Sequence, residues 1–331
     1  MPPLAFPVVL AMLAALISWL LIGLYARAMA GTRQLDVPNA RSMHRAPVPV
    51  GAGAAIVATI FLLWPPTAGA ATSAHAPLLA GLAGLAGLSW IDDRRQLSPA
   101  VRLGAQAAAV ALCLALLPAT ARLASGVPLA IERLALALAW LWFINLFNFM
   151  DGIDGLAGSE AVAIATGYLL LLSAMGLDGP LWRLVLIIAA ASAGYLLWNW
   201  HPAKVFMGDA GSIPLGFLLG WLMLDLGLRG RWSAAAILPL YFLCDATITL
   251  ARRALRGNRP WEAHREHFYQ RAVLAGASPA AVVCLVSATN LALLVLAVVS
   301  RDRPLPALAA ALAAVALLLL QLQRMARRRT L

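Results

Sequence analysis

Five carboxylates stand out by the company they keep. Asp92 and Asp93 are adjacent in IDDRRQLSP, Asp151 and Asp154 lie three apart in FMDGIDGLAG, and Asp209 sits in KVFMGDAGS. Only 14 residues of the chain are acidic and 62% are hydrophobic, and each of these stretches borders an apolar run. An acid in hydrocarbon costs about 2.5–3.5 kcal/mol at mid-bilayer, less near the interface. Carboxylates gathered at one face repel, and a divalent cation is the simplest counter-charge. Oxygen donors with no His or Cys at matching spacing suit Mg²⁺ or Mn²⁺ better than zinc. Mg²⁺ held by one or two carboxylates, and otherwise hydrated, commonly accompanies a phosphate-bearing substrate.

The glycines in DGIDGLAG and MGDAGS let backbone approach a ligand, and both stretches lead into a helix whose free N–H groups favour phosphate oxygens. Two plainer roles stay open: glycines between membrane helices also mark turns and tight packing, and Asp154, which opens the next helix, also suits an N-cap. The stretch 252–279 carries six arginines with His264, His267 and Tyr269. A zinc site at the HxxH spacing lacks a third ligand. An anion-binding lid fits better, because arginine offers forked donors to phosphate, while a basic loop lying on the membrane is the plainer alternative. Asp245 falls inside an apolar run; it is either functional or paired with Arg252.

These groups are positioned by apolar runs long enough to cross a bilayer. Eleven occur, at 4–26, 51–69, 76–91, 101–118, 127–147, 156–176, 181–200, 212–228, 233–251, 280–299 and 305–323. With 12% charged residues and a mean hydropathy of +0.83, the chain reads as one all-α polytopic membrane domain over 1–331, with 252–279 as a basic cytoplasmic lid loop. Its beginning has no basic segment before a long apolar run, so it reads as a retained first helix. An outside N-terminus puts 18 of the 25 Lys and Arg residues on the cytoplasmic side, which orients the chain with its C-terminus inside. The five carboxylates then share the cytoplasmic face. The net charge of +11 follows this topology and attraction to anionic lipid; spread over short loops, it argues against a nucleic-acid partner. Cys113, Cys244 and Cys284 fall within expected spans as packed thiols.

Several membrane classes fit poorly. Aspartyl intramembrane proteases need GxGD, whereas Phe206-Met207-Gly208-Asp209 lacks the first glycine. CDP-alcohol phosphotransferases need Ala-Arg soon after Asp-Gly, and aromatic prenyltransferases use aspartates four apart. A transporter of an anionic lipid or nucleotide sugar is the main alternative from another class, but it would place charges near the midplane in repeated halves.

Taken together, RSMHRAPVPVGAG at 41–53, Asp92-Asp93, NLFNFMDGIDGLAG at 145–158, KVFMGDAGS at 204–212 and HREHFYQR at 264–271 resemble the polyprenyl-phosphate N-acetylhexosamine-1-phosphate transferases. This family includes the initiators of O-antigen synthesis and phospho-MurNAc-pentapeptide transferase. The resemblance implies transfer of a sugar-1-phosphate from a UDP-N-acetylhexosamine to undecaprenyl phosphate at the bacterial inner membrane, with release of UMP and Mg²⁺ as cofactor. It implies Asp209 as the principal metal ligand and Asp92 and Asp93 as the acidic pair near the lipid phosphate, Asp92 the expected base. Asn148, Asp151 and Asp154 would line the nucleotide–metal pocket. His264, Arg265 and His267 would clamp the pyrophosphate, and Lys204 would reach a phosphate. A homodimer is compatible with the apolar helices.

The departures point to a branch. The three consecutive histidines of the peptidoglycan branch are absent, and eleven spans with a basic tail inside differ from its ten, which favours the O-antigen or wall-polymer initiators. Val48, Val50 and Ala52 stand where relatives often have Thr, Arg and Gly, and Val50 removes one candidate phosphate-binding arginine from the first loop.

Overall fold

The computed structural model describes residues 5–29, 35–36, 47–259 and 264–327. The helices are α1 Ala5–Met29, α2 Ala54–Ala68, α3 Ala71–Ala74, α4 Ala76–Arg95, α5 Pro99–Ala115, α6 Leu129–Phe149, α7 Leu156–Ala174 and α8 Pro180–Asn199. They continue as α9 Asp209–Leu228, α10 Trp232–Ile237, α11 Leu240–Leu255, α12 Phe268–Leu274, α13 Pro279–Val299 and α14 Pro304–Arg327. Among the described residues, strand structure is confined to a two-residue antiparallel ladder, β1 Leu35–Asp36 with β2 Val48–Pro49. Helix starts follow local chemistry. Ser98 and Ser278 accept the backbone N–H of Val101 and Ala281, each followed by a proline whose missing donor costs nothing in a first turn.

Seven helices, α1, α6, α7, α8, α9, α13 and α14, are long and apolar enough to cross a membrane. The remaining four of the eleven expected spans are not confirmed by helix length and composition. Helices α2 and α5 are apolar but shorter, with 15 and 17 residues, against a usual span of about 20 (range about 17–25). Helix α4 has 20 residues but ends on Asp92, Asp93, Arg94 and Arg95. The run at 233–251 is broken into α10 and α11 around Pro239, whose ring and missing N–H interrupt a helix.

Two helices form the centre. In α7 and α9, 72% of the most apolar window is buried, against 22% in α1. Helix α9 packs on α4, α6, α2 and α7, while α8 packs on α1, α2 and α7. The first turn of α9 therefore lies where the end of α4 and the end of α6 come together.

Candidate active site

The centre of the site is the start of α9. Asp93, in the last turn of α4 beyond its apolar stretch, accepts the Asp209 N–H at 3.0 Å on one oxygen and the Ala210 N–H at 3.1 Å on the other. A carboxylate from a distant helix thus caps the positive end of α9. Burial first, then the nearby Asp209 charge, push the Asp93 carboxyl up to about 6, even though the two N–H donors pull it down.

Asp209 is held from two further sides. Asn148, in the last turn of α6, donates to Asp209 Oδ1 at 2.8 Å and to Ser212 Oγ at 2.8 Å. Arg102, on α5, places Nη1 at 3.2 Å from Asp209 Oδ2 and 3.3 Å from Asp92 Oδ2. Asp92 is buried, and its other oxygen accepts the Leu97 N–H at 2.6 Å. Four elements separated by up to 117 residues therefore converge on one point.

Asp151 completes this group without touching it. Its carboxylate has no hydrogen-bond or ion-pair partner among the described residues, and it lies in the loop between α6 and α7. Burial first, then repulsion from Asp209 and Asp93, raise it to about 7. Arg102 pairs with two of the four carboxylates gathered here, Asp92 and Asp209. No three His, Cys, Asp or Glu among the described residues form a ready-made metal cage. The excess of carboxylate oxygens, with Asp151 unpartnered beside Asp209, fits a hydrated hard cation such as Mg²⁺.

The first loop forms a wall of the site. Phe206 N–H donates to Pro49 O at 2.8 Å, Gly51 and Ala52 N–H donate to Phe206 O, and Gly53 N–H donates to Met207 O at 3.0 Å. Gly53 and Gly211 meet so closely that a Cβ on either would fall 2.5 Å from the other's Cα. Val48 and Ala52 are buried and Val50 bridges Phe206, so these departures serve packing and strand pairing. Residues 41–46 of the same motif lie outside the described residues.

Other expected residues fall elsewhere. Asp154 Oδ2 contacts His201 Nδ1 at 2.6 Å and accepts the Ala203 N–H at 3.1 Å, which ties the α7 start to the loop before Asp209. Asn199 reinforces that tie, accepting Gly155 N–H at 2.8 Å and donating to Val205 O at 2.9 Å. Lys204 is exposed, its ammonium 5.7 Å from the Trp198 ring centre. Arg265 makes no ion pair among the described residues.

The lid segment divides into two faces. His267 is buried, with Nδ1 at 3.1 Å from Asp245 Oδ1; Phe268 N–H, Thr249 Oγ1 and Tyr241 Oη also donate to the Asp245 carboxylate. The partner of Asp245 is thus His267 and not Arg252. His264 lies against His267, ring centres 4.9 Å apart. Burial first, then His267 and Arg253, lower His264 to about 4, so it is a neutral imidazole near pH 7 and not a cationic clamp. Tyr269 stacks on His267 and donates to Phe149 O at 3.1 Å, and Gly152 passes so close that a side chain there would overlap the phenol. The histidine face therefore adjoins the Asp151 loop.

By sequence alone Arg102 is a topological charge, and Ser212, Asn199 and His201 carry no motif of their own. Arg102 in the first turn after QLSP, on the face shared with the acids, was the available signal for one of them.

Residues 75–227 match glycosyl transferase family 4. A Bacillus subtilis protein named a probable undecaprenyl-phosphate N-acetylglucosaminyl 1-phosphate transferase is 31% identical over 211 residues, 58% of this chain and 56% of that protein. A phospho-N-acetylmuramoyl-pentapeptide-transferase of Moorella thermoacetica is 41% identical over 78 residues, 24% of each chain. That of Streptococcus thermophilus is 32% identical over 125 residues, 38% of this chain and 36% of the relative. These matches span between about a quarter and just over half of the relatives' lengths. The resemblance carried by the motifs is therefore borne out over residues 75–227, the stretch that matches glycosyl transferase family 4.

Proposed function

We propose that the protein transfers an N-acetylhexosamine-1-phosphate from a UDP-sugar to undecaprenyl phosphate, with release of UMP, and so initiates an envelope polysaccharide. The observation that carries this is the convergence of Asp92, Asp93, Asp209, Asn148 and Arg102 on the first turn of α9 beside unpartnered Asp151. A carboxylate cluster with a helix N-terminus and an arginine suits a metal–diphosphate substrate. The site lies at one end of the helices and not at their midplane, which favours a lipid phosphate meeting a soluble nucleotide sugar over transport. The 18:7 basic bias supports a cytoplasmic site at the bacterial inner membrane, an outside N-terminus and an inside C-terminus.

The acceptor phosphate oxygen attacks the β-phosphorus of the donor, and the bond from that phosphorus to the bridging oxygen breaks, with its electron pair leaving on UMP. Mg²⁺, held by Asp209 and Asp151, would offset charge on the diphosphate. Arg102 offers a guanidinium to phosphate oxygens, and Asn148 fixes the Asp209 carboxylate. Asp93 holds the α9 N-terminus in place. Asp92 orients the acceptor or accepts its proton; a phosphate monoester has a second pKa of about 6, so little proton removal is needed at neutral pH. The hexosamine and the downstream polymer follow from the donor that supports turnover.

The test is UMP release by the purified protein with undecaprenyl phosphate, Mg²⁺ and a panel of UDP-N-acetylhexosamines. Lipid-dependent release, abolished by EDTA and by Asp209→Asn, is expected. Donor binding without release from any member of the panel overturns the transferase reading and points to transport.

A further inference from the structure

The arginines of the lid segment are not among the side chains gathered at Asp209. A cavity of about 300 Å³ opens between the end of α11 and α12, lined by Thr249, Arg252, Arg256, Glu266 and Arg271. Positions 249, 252 and 256 fall on one face of α11, spaced i, i+3 and i+7, so two guanidiniums project to the same side. Arg271 faces them from α12. Glu266, the one acid in the lining, is already engaged: buried Arg253 donates to one oxygen and Arg256 lies 3.5 Å from the other. Its charge is offset, and the cavity stays strongly positive. Arg252 rests over the Phe268 ring at 4.9 Å, and neither it nor Arg271 has a carboxylate partner among the described residues. Their forked donors are unspent.

The surroundings distinguish the ligand. Leu255, the last residue of α11, is 88% exposed, and Leu274, the last residue of α12, is 48% exposed. A soluble phosphate has no use for uncovered leucines beside its arginines, whereas a lipid presents a phosphate and an apolar portion together. The basic bias places this end of α11 at the cytoplasmic leaflet, where anionic lipids concentrate.

We propose that the cavity between α11 and α12 holds the phosphate of an anionic phospholipid headgroup, gripped by Arg252, Arg256 and Arg271, with Leu255 and Leu274 against its apolar portion. None of the lining residues belongs to the Asp209 cluster, and the proposal does not depend on the transferase reading.

Native mass spectrometry of the full chain, released from bilayers of equal phosphatidylglycerol and phosphatidylcholine, tests it without any turnover. Wild type should retain phosphatidylglycerol in preference to phosphatidylcholine. Arg252→Gln and Arg271→Gln should each lower that retention about fivefold, the effect of one surface guanidinium on anionic lipid. Arg252→Lys should keep part of it, and the thermal midpoints of these exposed variants should match wild type. Inorganic pyrophosphate at millimolar concentration should leave the lipid bound. Equal retention by wild type and the Gln variants overturns the proposal, as does displacement by pyrophosphate, which would make the cavity a site for soluble phosphates.

Discussion

Replacing Asp151 by Asn should stabilise the protein while removing its activity, and the gain should grow with pH. The Asp151 carboxyl is raised from 3.8 to about 7 by burial and by Asp209 and Asp93. The folded chain therefore holds this proton more tightly than the unfolded chain. Stability is full below about pH 4, falls as pH rises towards 7, and is level above it. At about 1.4 kcal/mol per tenfold change in proton affinity, the whole cost is roughly 4 kcal/mol. Asp151 keeps part of its surface open and solvent screens the effect, so about half of that is expected, roughly 2 kcal/mol. Asn has nearly the same shape and no charge to desolvate. In EDTA, thermal unfolding of wild type and Asp151→Asn should differ little at pH 4 and by roughly 4 °C or more at pH 8, at about 2 °C per kcal/mol. Saturating Mg²⁺ should narrow the gap by stabilising wild type alone. Parallel melting curves from pH 4 to pH 8 would refute the reasoning, because they would mean that Asp151 is not held in a repulsive, desolvated position.

The remaining predictions concern the supports of the site. Asp93→Ala removes both side-chain acceptors at the α9 N-terminus and should lower stability by about 1–2 kcal/mol, read as a reduced unfolding midpoint; an unchanged midpoint would argue against the cap. Gly211→Ala drives a methyl into Gly53 backbone, which cannot swing aside, and should cost about 1–3 kcal/mol together with most UMP release. Asp245→Asn should speed amide hydrogen exchange in 264–272 and, through Tyr269, in 149–155, leaving α1 and α8 unchanged. If only the first segment loosens, the lid does not brace the Asp151 loop. His264 should show no protonation step between pH 5.5 and 8 by NMR, since it is lowered to about 4.

Much of the architecture is a property of short stretches of chain, and the sequence determined it. Apolar runs become helices because a backbone in hydrocarbon must satisfy its own hydrogen bonds, so α1, α6, α7, α8, α9, α13 and α14 fall where hydropathy places them. Where a run is short, charged at its end or interrupted by Pro239, hydropathy and helix length part company, because hydropathy does not register what a proline or four terminal charges do to a helix. The motifs likewise marked the carboxylates, since an acid beside hydrocarbon is costly wherever it sits. What each carboxylate does was decided only by the packing of α4 and α6 against α9. Asp93 caps a helix 116 residues away, Arg102 bridges Asp92 and Asp209, and Asp154 turns to His201. The residues of the first loop, unpromising by type, prove to be the strand partner of the Asp209 loop. Composition and spacing are sums over neighbours in sequence, whereas these roles depend on distances across the bundle, which exist only once the helices have packed.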